Sequence, residues 1–277
     1  MKWLVLLLTS AVGTLIVSGM LIEARLHSAK YLAHLSAEAE VSKPEVNLSN
    51  PSNRQHNRIK QKARLFTVKV LTGKTWGSGI LIDRQQNRYT VVTNRHVLVF
   101  ARDNIYQVQA PDGKVYPATA LQIKEFVGHD LALLQFKSNM EYDTAALAPI
   151  ASSSLLVEQE PVFSTGFPIE IEEQKGAPGF YFNTGHIARF SSLDFGGGYQ
   201  IGYTNSVKKG MSGGALLNRQ GEVVGINGMH KYPIWGNPYD FSDGSLATET
   251  QQQEMSKFSW AIPINTFLDL APQFAAD

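Results

Sequence analysis

Lys209-Gly210-Met211-Ser212-Gly213-Gly214-Ala215-Leu216-Leu217 sets a serine among three glycines and runs at once into an apolar segment. Glycine tolerates positive φ and admits a second backbone at close range, so this turn can take a shape closed to other residues. The apolar run behind it reads as a short buried strand that holds the turn still. A hydroxyl presented in this way is a candidate nucleophile, provided that a base and an orienting carboxylate lie elsewhere. The same pattern fits a solvated Gly-rich turn, or the elbow of an α/β-hydrolase. The surrounding chain has to choose.

Working outward, Asn218-Arg219-Gln220-Gly221 reads as a hairpin joining strands over 215–217 and 222–226. Upstream, Phe66, Val68 and Val70 alternate with polar residues, and Tyr106, Val108 and Ala110 do the same. Further strand segments are expected over 80–82, 89–93, 131–136, 162–164, 181–189 and 199–204. Many short strands separated by turns point to an all-β sandwich or barrel and not to alternating βαβ units. The one helix expected after residue 57 is short and C-terminal, with Asn265 as its N-cap.

Composition bounds the chemistry. The 277 residues carry 25 basic and 24 acidic side chains, so no electrostatic case for a nucleic-acid partner follows. There is no cysteine, which excludes a thiol nucleophile, a thiolate metal site and a disulfide framework. Thr72-Gly73-Lys74-Thr75 lacks the upstream glycine of a phosphate-binding loop and reads as a hairpin turn. Asp240, Asp243 and Gly244 lack the ligand spacing of a calcium loop. No cofactor or metal is expected.

Residues 3–22 are uncharged and follow Lys2; as a helix they would cover about 30 Å, the hydrocarbon thickness of a bilayer. Residues 1–24 therefore read as a signal anchor, with a cleaved signal peptide as the alternative. Residues 25–57 read as a helical stalk and polar linker, and 58–277 as the folded domain, outside the cytoplasm whether membrane-held or released.

A serine hydroxyl needs a base, and the base needs a group that fixes its tautomer. Of the 7 histidines, His27, His34 and His56 precede the domain. His186 sits in a strand-like run, and His230 in a loop. His129 adjoins Asp130, so on a strand their side chains would diverge. His96 stands where a β-rich run ends, and Asp130 opens the apolar strand Leu131-Ala132-Leu133-Leu134. A carboxylate there is costly to bury unless it accepts hydrogen bonds, which an imidazole N–H supplies.

Thr93-Asn94-Arg95-His96-Val97, then Asp130-Leu131-Ala132-Leu133-Leu134, then Gly210-Met211-Ser212-Gly213-Gly214 in one β-rich chain resembles the chymotrypsin-like serine proteases, most closely the bacterial Deg/HtrA-type protease domains. Gly77-Ser78-Gly79-Ile80, Thr165-Gly166-Phe167-Pro168, Gly221-Glu222-Val223-Val224-Gly225-Ile226 and Trp260-Ala261-Ile262-Pro263 add to the likeness. The resemblance implies two packed six-stranded antiparallel β-barrels. It implies a catalytic triad of His96, Asp130 and Ser212, an oxyanion hole from the amides of Gly210 and Ser212, and a polypeptide substrate. Ser206 would floor the primary pocket; being neutral, it suggests apolar or small residues before the scissile bond. Two departures stand out. Met211 replaces the aspartate that pairs with a new N-terminus in the digestive members, and the sequence after Ser212 leaves no room for a PDZ domain. A catalytically silent or conditionally active binding protein on the same fold is the alternative. An α/β-hydrolase needs an acid and then a histidine after the serine, for which only Glu222 and His230 are available.

Overall fold

The computed structural model describes residues 51–148, 156–172, 179–231 and 239–275. The expected hydrophobic helix over 3–22 and most of the stalk lie outside these residues. Among the described residues no helix is long and apolar enough to cross a membrane.

The described chain opens with helix α1 (Pro51–Phe66). Proline suits its first turn, where an N–H would have no partner anyway. Ile59, Ala63 and Phe66 fall on one face and are buried. That face lies against the second half of the fold, and the Gln55 side chain donates to Arg219 O at 3.0 Å. Residues 51–57, expected as linker, fall within helix α1, and the His56 ring packs edge-on against Phe163 and Phe182.

Twelve strands follow. The first six are β1 (Thr67–Leu71), β2 (Trp76–Gln85), β3 (Arg88–Thr93), β4 (Tyr106–Gln109), β5 (Val115–Leu121) and β6 (Ala132–Lys137). They form a closed antiparallel barrel in the order β1-β2-β3-β6-β5-β4, with Val70 facing Val108 across the closing pair. The second six are β7 (Pro161–Gly166), β8 (Tyr181–Phe195), β9 (Tyr199–Tyr203), β10 (Ala215–Leu217), β11 (Val223–Met229) and β12 (Ser259–Pro263). They close as β10-β11-β12-β9-β8-β7, with Leu216 facing Ser164. Closure removes the sheet edges that would otherwise need covering. Consecutive residues such as Ile80-Leu81 and Leu133-Leu134 are buried, so both faces of those strands are covered.

The short helices are α2 (Arg95–Leu98), α3 (Ile169–Glu172), α4 (Glu249–Met255) and α5 (Ile264–Leu270). Helix α4 was not expected, although Thr248 and Gln251 form a reciprocal capping box at its start. The terminal helix is present but begins at Ile264 behind Pro263, so Asn265 lies inside its first turn and is not its cap. The Thr72–Thr75 segment is the expected turn, closed by Thr72 N donating to Thr75 O at 3.0 Å.

The barrels meet along β1, β2 and β7. Thr67 Oγ1 lies 3.3 Å from Thr165 Oγ1, and Ser78 of β2 reaches the turn that carries Ser212.

Candidate active site

Strand β3 delivers Thr93 and Asn94, both fully buried, and the chain then turns into α2 with His96 in its first turn. The Asn94 side chain does not cap that helix; its Nδ2 donates to Asp130 O at 2.9 Å. Asp130 lies just ahead of β6, and its amide donates to Gly197 O at 2.9 Å. Two neighbouring segments therefore fix the Asp130 backbone before its side chain makes any contact.

The carboxylate is fully used. Oδ1 accepts the His96 amide at 2.8 Å, and Oδ2 lies 2.6 Å from His96 Nδ1. Oδ2 also accepts from Tyr199 Oη at 2.5 Å. The Asp130 side chain is 15% exposed and the His96 ring 41% exposed, so the imidazole is anchored on its inner nitrogen and open on its outer edge. Burial, and then the adjacent Asp130 charge, push the Tyr199 phenol well above its usual range, so it stays a proton donor.

Among the described residues, His96 is the histidine paired with a carboxylate. His230 Nδ1 lies 2.9 Å from Lys231 O, and His186 Nδ1 lies 3.3 Å from Thr204 Oγ1. Asp130 lies just ahead of β6, at the mouth of the apolar strand as expected, and His129 forms an isolated bridge with Gly197.

Ser212 stands on the turn before β10. Ser78 of β2 clamps this turn: its amide donates to Ser212 O at 2.7 Å and its hydroxyl to Gly210 O at 2.7 Å. The same hydroxyl accepts from Phe167 N at 2.9 Å. Lys209 O accepts from Ile169 N at 2.9 Å. Gly210 has φ +96°, and a Cβ there would overlap Phe167 O, so the position requires glycine. Met211, Gly213 and Gly214 donate their amides to Lys208 O, Asn227 O and Met211 O. Among the described residues, the amides of Gly210 and Ser212 find no acceptor. Free backbone donors on one turn are what binding a negative oxygen requires.

Met211 is fully buried, and its sulfur accepts from Lys208 N at 3.4 Å. Asn227 braces the turn from below: Nδ2 donates to Thr165 O and Ala215 O, each at 3.1 Å, and Oδ1 accepts from Tyr203 Oη at 2.8 Å. The Ser212 hydroxyl itself donates to Gly228 O at 3.3 Å, and among the described residues it makes no hydrogen bond to His96. Ser206 is exposed, with its carbonyl accepting from Asn183 Nδ2 at 2.7 Å. Lys208 pairs with Glu170 at 3.2 Å.

Sequence reading did not single out Tyr199, the Ser78 side chain or Gly228 as parts of this site. Ser78 was visible only as part of the Gly77-Ser78-Gly79 motif. Tyr199 carries no local signal, because an aromatic residue opening a strand is unremarkable.

The family described as Trypsin-like peptidase domain matches residues 77–226, more than half of the 277 residues. The match covers all three residues of the candidate triad. Curated relatives include the mitochondrial serine protease HTRA2 of Drosophila virilis and that of Drosophila erecta, each 28% identical over 156 residues. The aligned part is 55% of this chain and 34% of each relative, so the chain spans about a third of their length.

Proposed function

The chain belongs to the trypsin-like peptidase domain family, and on that premise we propose that it is a serine endopeptidase working through an acyl-enzyme on Ser212. The observations that carry this reading are the Asp130–His96 pair at 2.6 Å and a serine turn on which, among the described residues, the amides of Gly210 and Ser212 find no acceptor.

In the proposed reaction His96 Nε2 takes the Ser212 hydroxyl proton as Oγ attacks the peptide carbonyl carbon. The carbonyl π pair moves onto oxygen, where the amides of Gly210 and Ser212 hold it; one such donor is worth about 3 kcal/mol. Asp130 keeps the proton on Nδ1 and balances the imidazolium that forms. The C–N bond then breaks as His96 returns its proton to the leaving amine. Water, deprotonated by His96 in turn, attacks the ester, and Ser212 regains its proton. The neutral Ser206 favours substrates with small or apolar residues before the scissile bond. The uncharged run over 3–22 supports a location outside the cytoplasm, held by an anchor or released after cleavage.

A second reading, conditional activity, draws on the Ser212 hydroxyl being directed to Gly228 O and not to His96. In this reading the Ser212 hydroxyl turns from Gly228 O to His96 before the proton moves. Substrate entering the cleft could supply that rotation, and a protein held in this state would act mainly as a binding module.

Fluorophosphonate labelling of separated membrane and soluble fractions tests the function together with the anchor. Covalent labelling of wild type and none of Ser212→Ala is expected. Absence of labelling in wild type with and without added unfolded casein would sink the peptidase reading; labelling only with casein would favour the conditional one.

A further inference from the structure

Tyr199 has no part in the proton transfers proposed above, yet it touches their centre. Its hydroxyl donates at 2.5 Å to Asp130 Oδ2, the same oxygen that accepts His96 Nδ1. The ring is 3% exposed and stands at the start of β9, in the second barrel, whereas Asp130 belongs to the first. Gly197, two residues earlier, accepts the Asp130 amide. One turn of the second barrel thus grips Asp130 by backbone and by side chain.

A second observation concerns Gly228, whose carbonyl accepts the Ser212 hydroxyl. A Cβ built on Gly228 would overlap the Tyr199 hydroxyl and the adjacent edge of its ring. Strand β11 therefore has to carry a glycine there for the phenol to reach Asp130. The phenol is wedged between the carboxylate that orients the base and the residue that holds the nucleophile.

We propose that Tyr199 is a positioning residue, whose hydroxyl fixes the Asp130 carboxylate so that His96 keeps its proton on Nδ1 and presents Nε2 to Ser212, with Gly228 a glycine because it must admit the phenol. Without that donor the carboxylate would keep only His96, through its amide on Oδ1 and its ring on Oδ2, and would lose its side-chain anchor from the second barrel. A charge-assisted bond of this kind is about twice as strong as a neutral one, which gives it the leverage to hold the orientation. The kinetic consequence rests on the peptidase reading; the orientation of His96 can be read without turnover.

The test uses the full chain and two variants, Tyr199→Phe and Tyr89→Phe. Tyr89 is an equally buried phenol in the first barrel, bonded to Met140 O at 2.8 Å. The first readout is the NMR signal of the His96 Nδ1 proton in 15N-labelled protein, assigned by its loss in His96→Gln. In Tyr199→Phe it should change chemical shift and exchange faster with solvent; in Tyr89→Phe it should do neither, although both variants melt earlier. The second readout is the rate of fluorophosphonate labelling, expected to fall about ten-fold or more in Tyr199→Phe only.

An unchanged His96 proton in folded Tyr199→Phe, or an equal change in Tyr89→Phe, overturns the proposal. This holds whether or not wild type is labelled, so failure of the peptidase reading shows separately in the second readout. Should Tyr199→Phe not fold, wild type decides: an exchange-protected Tyr199 phenol proton cross-relaxing with the His96 Nδ1 proton supports the proposal, and its absence overturns it.

Discussion

Gly210 combines three constraints in one residue: φ of +96°, a carbonyl fixed by the Ser78 hydroxyl, and no room for a Cβ beside Phe167 O. Its amide finds no acceptor among the described residues. Gly210→Ala should cost about 1–3 kcal/mol in backbone strain, which the chain can relieve by turning the Lys209–Gly210 peptide. Turning it withdraws one donor from the proposed oxyanion site. The labelling rate should then fall about 100- to 1,000-fold while the protein stays folded by circular dichroism. A folded Gly210→Ala protein labelled at the wild-type rate would mean that this amide takes no part. At this scale the sequence carries some residues openly and hides others. His96, Asp130 and Ser212 are legible because each needs a distinctive neighbourhood: a strand end, the mouth of an apolar strand, a glycine turn. Tyr199 is hidden, since its meaning comes from Asp130, a partner in the other barrel that no local spacing reveals.

Strand β2 reaches the second barrel through Trp76, whose indole donates to Phe167 O at 2.8 Å, and through Ser78. The Ser78 hydroxyl accepts from Phe167 N and donates to Gly210 O, and its carbonyl accepts from Thr93 Oγ1 at 2.7 Å. Ser78→Ala leaves a part-buried amide and a buried carbonyl without their partner. The expected loss is about 1–3 kcal/mol for each group left unsatisfied. In a domain of this size that lowers the melting temperature by several degrees, roughly 2–4 °C per kcal/mol. Labelling should weaken as well, since the turn loses its clamp; a variant as stable and as reactive as wild type would remove Ser78 from this role. The strands that were easiest to read are those whose apolar residues alternate or run together between turns. Strand β5 was missed because Val115-Tyr116-Pro117-Ala118 mixes a proline with small and exposed residues, and its neighbours β4 and β6 define it more than its own pattern does. Strand β12 is buried along nearly its whole length and shows no alternation to detect. Helix α1 was hidden for the opposite reason: only Ile59, Ala63 and Phe66 of its residues are apolar and buried, and most of the rest is polar.

Over the whole folded unit, the buried phenols set the response to alkali. Burial pushes Tyr203 well above the usual tyrosine range, and burial followed by the Asp130 charge does the same for Tyr199. Burial pushes Tyr239 up to about 12. In the unfolded chain these groups ionise near pH 10. Above that pH the unfolded chain has released protons that the folded protein still holds, so stability falls as pH rises; below it these groups bind a proton in both states and contribute no slope. Urea midpoints should therefore be level in this respect up to about pH 9 and decline steadily beyond about pH 10. Tyr203→Phe should lower stability at neutral pH and flatten the alkaline decline. All three phenols belong to the second barrel and its loops, yet the loss should be felt throughout. Ser78, Asp130 and helix α1 tie the barrels together across their junction, which favours a single cooperative transition. Trp76 donates to Phe167 O across the junction at 2.8 Å and reports neither barrel alone. A variant with Phe136→Trp in β6 as its only tryptophan reports the first barrel, and one retaining only Trp260 of β12 reports the second. Coincident midpoints from both probes at pH 8 and pH 11 are expected; a Trp260 transition that moves ahead of the first-barrel one in alkali would show that the junction does not couple them.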